Sequence, residues 1–166
     1  MSVIPDGANA PVSMFSARFD GGEIEKKFRK VHQLLKDHRF DTLMVAAKGS
    51  DDFGVKTLEC LGEIRRRHGV MIAVCTANYG EVTDSPYSSN AELRFAFDKS
   101  IKVLPLKVVD AYPPKPPGGP GHKHDETYTA QTLCEFVFKD SVVYLDCRGK
   151  SEEELAAMIG KELLKM

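Results

Sequence analysis

The stretch Val70–Thr76 (VMIAVCT) is apolar almost throughout, and it indicates how the rest of the chain folds. Its apolar residues do not alternate with polar ones, so both faces of the predicted strand are buried. Gly69, just before it, closes a helical pattern over residues 53–68 in the manner of a helix C-cap. A strand buried on both faces is typical of the centre of a parallel sheet covered by helices.

Strand and helix patterns alternate on both sides of this stretch. The predicted strands are 11–17, 41–47, 70–76, 101–109 and 142–146, and the predicted helices are 23–38, 53–68, a third beginning within 85–90 and ending near 100, 129–138 and 151–166. Pro105 places the fourth strand near an edge or at a bulge, because proline lacks a ladder donor. The alternation predicts an α/β fold with a five-stranded parallel sheet and helices on both faces.

Local signals refine this prediction. Val55, Leu58, Leu61 and Ile64 are spaced to form one apolar side of the second helix. The last helix begins with a Ser-x-x-Glu capping box at residues 151–154, and Asp51 or Asp52 can cap the second helix. Tyr112–Gly121 (YPPKPPGGPG) cannot form regular structure, and we expect residues 110–126 to be an irregular, mobile surface excursion.

Composition limits the possible classes of protein. A chain of 166 residues with a hydrophobic fraction of 42% is long enough for one domain, which we place at 11–166 after a flexible N-terminus, 1–10. The net charge of −1 predicts no nucleic-acid partner, and no apolar run is long enough for a membrane span. We expect the start of the chain not to be a secretory signal, and none of the four cysteines forms a CxxC pair. We therefore expect no zinc site and a reducing, cytoplasmic location.

Parallel sheets bind ligands at the carboxyl ends of their strands, so charged residues after the strands are candidate site residues. Arg18 follows the first strand, where a guanidinium can bind phosphate or carboxylate. Glu92 lies one to two turns inside the helix after the central strand, where its carboxylate can face the cleft. On composition alone each is more simply explained as a solvated charge, with Glu92 paired to Arg94 or Lys99.

Two further clusters are weaker candidates. The loop Lys48–Asp52 offers a cation, two acids and turn amides, but it has no phosphate-binding glycine pattern. His122, His124 and Asp125 invite comparison with metal ligands, yet their proline-rich surroundings favour a solvated loop, and we expect no metal.

The segment Ser85–Val108 (SPYSSNAELRFAFDKSIKVLPLKV), with the order of the elements, resembles the TIR (Toll/interleukin-1 receptor) domain family. Glu92 followed by Leu93 matches the glutamate and aliphatic residue that catalytic members carry early in the helix after their third strand. The stretch VSMFSAR, residues 12–18, resembles the opening strand of the family, with Ser16 and Arg18 matching and Ala17 in place of an aromatic residue. The resemblance covers residues 11–166 and implies a five-stranded flavodoxin-like fold.

Catalytic TIR domains cleave the bond between nicotinamide and ribose in NAD, so the resemblance implies Glu92 as the catalytic residue. NAD is then the substrate, and no bound cofactor is implied. The implied products are nicotinamide and ADP-ribose or a cyclic isomer, and the implied context is signalling or immunity. The implied substrate-binding residues are Arg18 for the pyrophosphate, Tyr87 or Phe53 for ring stacking, and Ser88 and Lys48 beside them.

TIR domains also self-associate, and family members often complete their active sites across a subunit interface. Residues 48–53 fall where the family has its BB loop, so Phe53 is the natural group to insert into a neighbouring subunit. A non-catalytic adaptor is the alternative: Ser88 in place of a family tryptophan favours it, and Glu92 in register favours the enzyme. A third hypothesis is a response-regulator-like or nucleotide-binding protein with the same fold. Acidic clusters at two strand ends would support it, and the sequence shows only Asp51 and Asp52.

Overall fold

Within residues 3–45 and 53–166, which the computed structural model describes, five parallel strands form one sheet in the order β2-β1-β3-β4-β5. The strands are β1 (Ser13–Ser16), β2 (Thr42–Met44), β3 (Val70–Cys75), β4 (Lys102–Lys107) and β5 (Leu145–Asp146). The helices are α1 (Glu23–Asp37), α2 (Phe53–Arg66), α3 (Ser89–Asp98), α4 (Thr129–Val137) and α5 (Glu152–Lys165). This strand order is the flavodoxin-like one, and it confirms the predicted α/β fold.

The central strand β3 is buried along its whole length, as its uninterrupted apolar sequence predicts. It pairs with β1 on one side and β4 on the other, and Ala73 lies opposite both Ser16 and Pro105. The short β5 pairs with β4 only at Leu106 and Lys107, so the sheet is open beside Pro105. This agrees with a strand proline near an edge.

Helices cover both faces of the sheet. On one face α1 and α5 bury the side chains Phe28, Val31, Leu35, Leu155 and Ile159 against the strands. On the other face lie α2, α3 and α4. The predicted capping box of α5 is confirmed, since Ser151 Oγ accepts from the Glu154 N–H at 3.2 Å and Glu154 Oε1 accepts from the Ser151 N–H at 3.1 Å.

The apolar side predicted for α2 is wrong in its first half. Leu61 and Ile64 are buried, but Val55 and Leu58 are 55% and 57% exposed. Two small residues, Gly54 and Thr57, take the inward positions of the first turns instead. A Cβ at position 54 would collide with the ring of Tyr87, so a glycine is needed where the ring lies against the helix.

Gly69 takes part in the C-cap of α2, but it is not the left-handed residue of that cap. The left-handed residue after the helix is His68, with φ of +54°. Gly69 donates its N–H to Ile64 O at 2.7 Å, and a Cβ there would collide with the carbonyl oxygen of Val12. The glycine is thus required by the close approach of β1 rather than by its own φ.

Residues 3–10 pack on the domain that we expected to begin at residue 11. The Gly7 N–H donates to His38 O at 2.8 Å, and Asp6 forms an ion pair with Arg39. Ile4 packs against the core between the sheet, α1 and α5. These contacts place the segment on the domain surface.

The proline-rich segment is irregular and largely at the surface, as predicted, but some of its residues are buried in the domain. Pro114, Pro116 and Asp125 are buried, and Gln131 donates to Pro116 O at 3.1 Å. Gln131 lies in the first turn of α4, so the segment lies against the start of that helix. Within the described residues, no helix combines the length and the apolar character needed to cross a bilayer.

Candidate active site

The carboxyl group of Glu92 is buried between α3 and β1. Glu92 lies in the first turn of α3, one turn after the N-cap Ser88, whose Oγ accepts from the Ala91 N–H at 3.3 Å. Only 6% of Glu92 is exposed, and no cation pairs with it among the residues that the structure describes. Buried glutamates are rare unless they are paired, so this position calls for a functional explanation.

The hydroxyl groups of Ser16 and Tyr79 form a hydrogen-bonded chain that ends at Glu92. Ser16 Oγ donates to Glu92 Oε1 at 2.7 Å, and the Tyr79 hydroxyl lies 2.7 Å from the same Oγ. Ser16 follows Met14 by two residues, so both side chains point to the sheet face covered by α2 and α3. The alternation of β1 therefore brings Ser16 to Glu92, although 76 residues separate them.

The protonation of Glu92 is set by this environment. Burial raises the pKa of Glu92 from 4.5 to about 8, because the carboxylate loses its hydration, and the hydrogen bond from Ser16 opposes part of that effect. The free protein therefore holds Glu92 mainly as the neutral acid at pH 7. A cation placed beside it would favour the carboxylate instead.

Glu92 opens into a cavity of about 210 Å³ at the carboxyl ends of β1 and β2. The cavity walls are mostly apolar and aromatic, with hydroxyl groups along the segment that leads into α3. The lining residues that do not belong to this segment are Phe15, Ala17, Arg18, Phe19, Met44 and Val45. An apolar cavity with few polar groups and one buried acid is a typical small-molecule site.

The first turn of α3 holds the preceding segment in place. The Gly80 N–H donates to Ser89 Oγ at 2.9 Å, and Asn90 Nδ2 donates to Gly80 O at 2.9 Å. Both peptide groups of Gly80 are satisfied by buried side chains of α3. Tyr79, next to Gly80, is thereby fixed relative to Glu92.

Arg18 lines the cavity as predicted, but it is already paired. Its Nη1 forms an ion pair with Glu81, and Glu81 Oε2 lies 3.1 Å from His122 Nε2. The Glu81 and His122 side chains are only 15% and 14% exposed, whereas Arg18 is 37% exposed. Glu81 therefore holds both Arg18 and the proline-rich segment at the rim of the cavity.

The other predicted binding residues have different outcomes. Tyr87 lines the cavity and packs on Gly54 of α2, and Ser88 lines it while capping α3. Lys48 lies outside the described residues, as do Asp51 and Asp52. Phe53 begins α2, but its side chain is not among the described ones. The structure thus brings Glu92, Arg18, Tyr87 and Ser88 to one cavity.

The histidines and Asp125 do not form a metal centre. Asp125 instead caps α4: it accepts from the N–H and Oγ1 of Thr129, each at 2.8 Å, and from the Ala130 N–H at 3.0 Å. Burial alone would raise the pKa of Asp125, but these hydrogen bonds lower it. In the described ranges no three His, Cys, Asp or Glu side chains are grouped so as to hold a metal ion.

Sequence reasoning assigned no role to Tyr79, Glu81 or Asn90, and to Ser16 only a match to a family strand. Their roles depend on contacts between distant segments, and none carries a local pattern. The alternation of β1 was the one available signal, because it places Ser16 on the same face as Met14. No protein-family model matches the chain, and no curated protein matches its sequence.

Proposed function

We propose that the chain is a TIR-like domain that cleaves the nicotinamide–ribosyl bond of NAD, with Glu92 as the catalytic residue. The observation that carries the proposal is the buried Glu92 carboxyl group at the end of an apolar cavity. The strand order and the position of Glu92 in the first turn of α3 agree with the resemblance of Ser85–Val108 to that family. The free thiols of all four cysteines support the cytoplasm as the location.

The chemistry suits one carboxylate in an apolar site. The C1′–N bond breaks with its electron pair leaving on neutral nicotinamide, and the ribose becomes oxocarbenium-like. A carboxylate beside C1′ stabilises that positive charge, and an apolar cavity strengthens the interaction. Water then adds to C1′ and releases a proton, which gives ADP-ribose. Attack by a ring nitrogen of the adenine instead gives a cyclic isomer.

NAD itself favours the ionised form of Glu92. Its nicotinamide ring is cationic, so binding beside Glu92 lowers the pKa of a carboxyl group that burial holds at about 8. The ionised carboxylate of Glu92 therefore forms when NAD binds. Because kcat/KM reports the free enzyme and kcat the bound complex, we expect the kcat profile to rise at a lower pH than the kcat/KM profile.

We place one end of the dinucleotide in the cavity. Its volume of about 210 Å³ is below the range of about 300–1,000 Å³ that is usual for larger ligands. In this proposal the nicotinamide riboside end lies beside Glu92, with Tyr87 and Ser88 on the wall and Arg18 at the rim for the pyrophosphate. Lys48 and Phe53 belong to the segment that would contact the rest of the NAD molecule or a neighbouring subunit.

The test is incubation of concentrated protein with NAD, followed by chromatography for nicotinamide. We expect Glu92→Gln to stay folded and to lose about a hundredfold in rate, because such electrostatic stabilisation is worth that much. The matched control is Glu135→Gln, which removes an exposed carboxylate on α4. Wild-type rates in folded Glu92→Gln would refute the assignment.

A non-catalytic assembly module is the second candidate, and one surface favours it. Phe97 of α3 and Phe136 of α4 are 48% and 59% exposed, with ring centroids 5.6 Å apart. Exposed aromatic pairs of this kind are frequent anchors of protein interfaces. Sedimentation of the wild type and of Phe136→Ala tests it: self-association lost in the variant, with no NAD cleavage by either protein, would favour this candidate.

A further inference from the structure

The buried hydroxyl of Tyr79 belongs to the site but has no place in the chemistry above. Tyr79 is completely buried, and its partner among the described residues is Ser16, 2.7 Å away. Its ring packs 6.1 Å from the ring of Phe138, between the sheet and α4. Tyr79 is not among the residues that line the cavity, and its hydroxyl is linked to Glu92 through Ser16.

The direction of the hydrogen bonds follows from counting protons. A phenol has one proton, and in a fully buried position that proton needs an acceptor. If Ser16 donated to Tyr79, the phenol proton would have no acceptor among the described residues. Tyr79 therefore donates to Ser16 Oγ, and the single proton of Ser16 goes to Glu92 Oε1.

We propose that Tyr79 is a positioning residue that acts on Glu92 through Ser16: it commits the Ser16 hydroxyl to donate to Oε1, and so leaves Oε2 as the oxygen that holds and releases the proton. This inference deepens the proposed function and rests on it for its catalytic consequence. Oε1 is then a fixed acceptor in both protonation states. In the free protein Oε2 carries the proton. Once the nicotinamide cation is bound, Oε2 is the charged oxygen that faces it.

The other titratable groups near Glu92 are neutral or already paired. The hydroxyl groups of Tyr79 and Ser16 are therefore the specific influence on the protonation of Glu92. In the described part of the chain the titratable groups are Arg18 after β1, Cys60 on α2, and Tyr79 and Tyr87 before α3. Burial, with the charge of Glu92 next, raises the pKa values of both Cys60 and Tyr79, so both stay neutral. Arg18 is paired with Glu81.

The test measures the Glu92 carboxyl group directly, by NMR titration of protein with ¹³C-labelled glutamate side chains, assigned by comparison with Glu92→Gln. We expect Ser16→Ala to raise the pKa of Glu92 by about one unit, since it removes a hydrogen bond to the anion. Tyr79→Phe keeps the ring and weakens the Ser16 bond, so we expect a rise of about half a unit. The kcat/KM profile should shift by the same amounts.

The matched control is Tyr112→Phe. Tyr112 packs against the same core cluster, and its buried hydroxyl has no hydrogen-bond partner among the described residues. Its removal should leave the titration of Glu92 unchanged. Thermal unfolding of each variant shows whether the fold is retained.

A double variant decides whether Tyr79 acts through Ser16. In the Ser16→Ala background, Tyr79→Phe should cause no further shift in the titration. No shift from Tyr79→Phe alone, or an equal shift in both backgrounds, would overturn the proposal. Because the titration needs no turnover, shifts as expected in a protein that does not cleave NAD would refute the proposed function and leave the hydroxyl chain standing.

Discussion

Glu92 should make the protein less stable as the pH rises, and Glu92→Gln should remove this dependence. Burial raises the pKa of Glu92 in the folded state to about 8, from an ordinary value of 4.5. Between these values the folded protein holds a proton that the unfolded chain has released, so the free energy of unfolding falls with rising pH. The contribution is complete below the unfolded-state pKa and is lost as the pH passes the folded-state pKa.

The magnitude follows from the difference between the two pKa values. A difference of about 3.5 units corresponds to about 5 kcal/mol at roughly 1.4 kcal/mol per unit. Of this, about 4 kcal/mol is lost between pH 5 and pH 9. Glutamine resembles the neutral acid in shape and still accepts from Ser16, so the variant should be more stable than the wild type by about 3 kcal/mol at pH 7.

The assay is urea unfolding of both proteins at several pH values. The quantity to plot is the difference in free energy of unfolding between variant and wild type, because other titrating groups cancel in it. Asp125, for example, has a lowered pKa and contributes a pH dependence of opposite sign in both proteins. Glu135→Gln, which removes an exposed carboxylate, is the matched control. A flat difference for Glu92→Gln would refute the buried, neutral Glu92.

Three further outcomes are expected. Asp125→Ala should lower the free energy of unfolding by about 2 kcal/mol in urea titrations, because it leaves the start of α4 uncapped, and Asp125→Asn should lose less. Replacing residues 112–121 by a Gly/Ser linker should cost about 3 kcal/mol, because Pro114 and Pro116 are buried; unchanged stability would contradict their packing. If the active site is shared between subunits, specific activity should rise with protein concentration, and Phe53→Ala should weaken both activity and self-association in sedimentation. A strict monomer of constant specific activity would exclude the shared site.

The fold was predictable because its signals are local. The uninterrupted apolar run of β3 and the capping box of α5 each depend on a few neighbouring residues. The inward side of α2 could not be predicted, because Gly54 and Thr57 are small and do not belong to the apolar pattern of the sequence. The inward placement of Gly54 depends on Tyr87, which lies in a distant segment.

The site was predictable only in part, for the same reason. The resemblance to a family located Glu92, and the end of β1 suggested Arg18. Neither predicted that Glu92 is buried, because burial and the partners Ser16 and Tyr79 arise only when β1, α3 and the segment before α3 come together. The ion pair of Arg18 with Glu81 has the same origin.

The two hydrogen bonds from α3 to Gly80 close the chain into a ring that runs from Gly80 to Asn90. The ends of that ring are held by side chains rather than only by the peptide bonds between them. Asp84, near the middle of the ring, is exposed. A protein cut at Asp84 should therefore keep Tyr79 on one fragment and Glu92 on the other in their places. We therefore expect the two fragments to stay together through the common sheet, with the site divided between them.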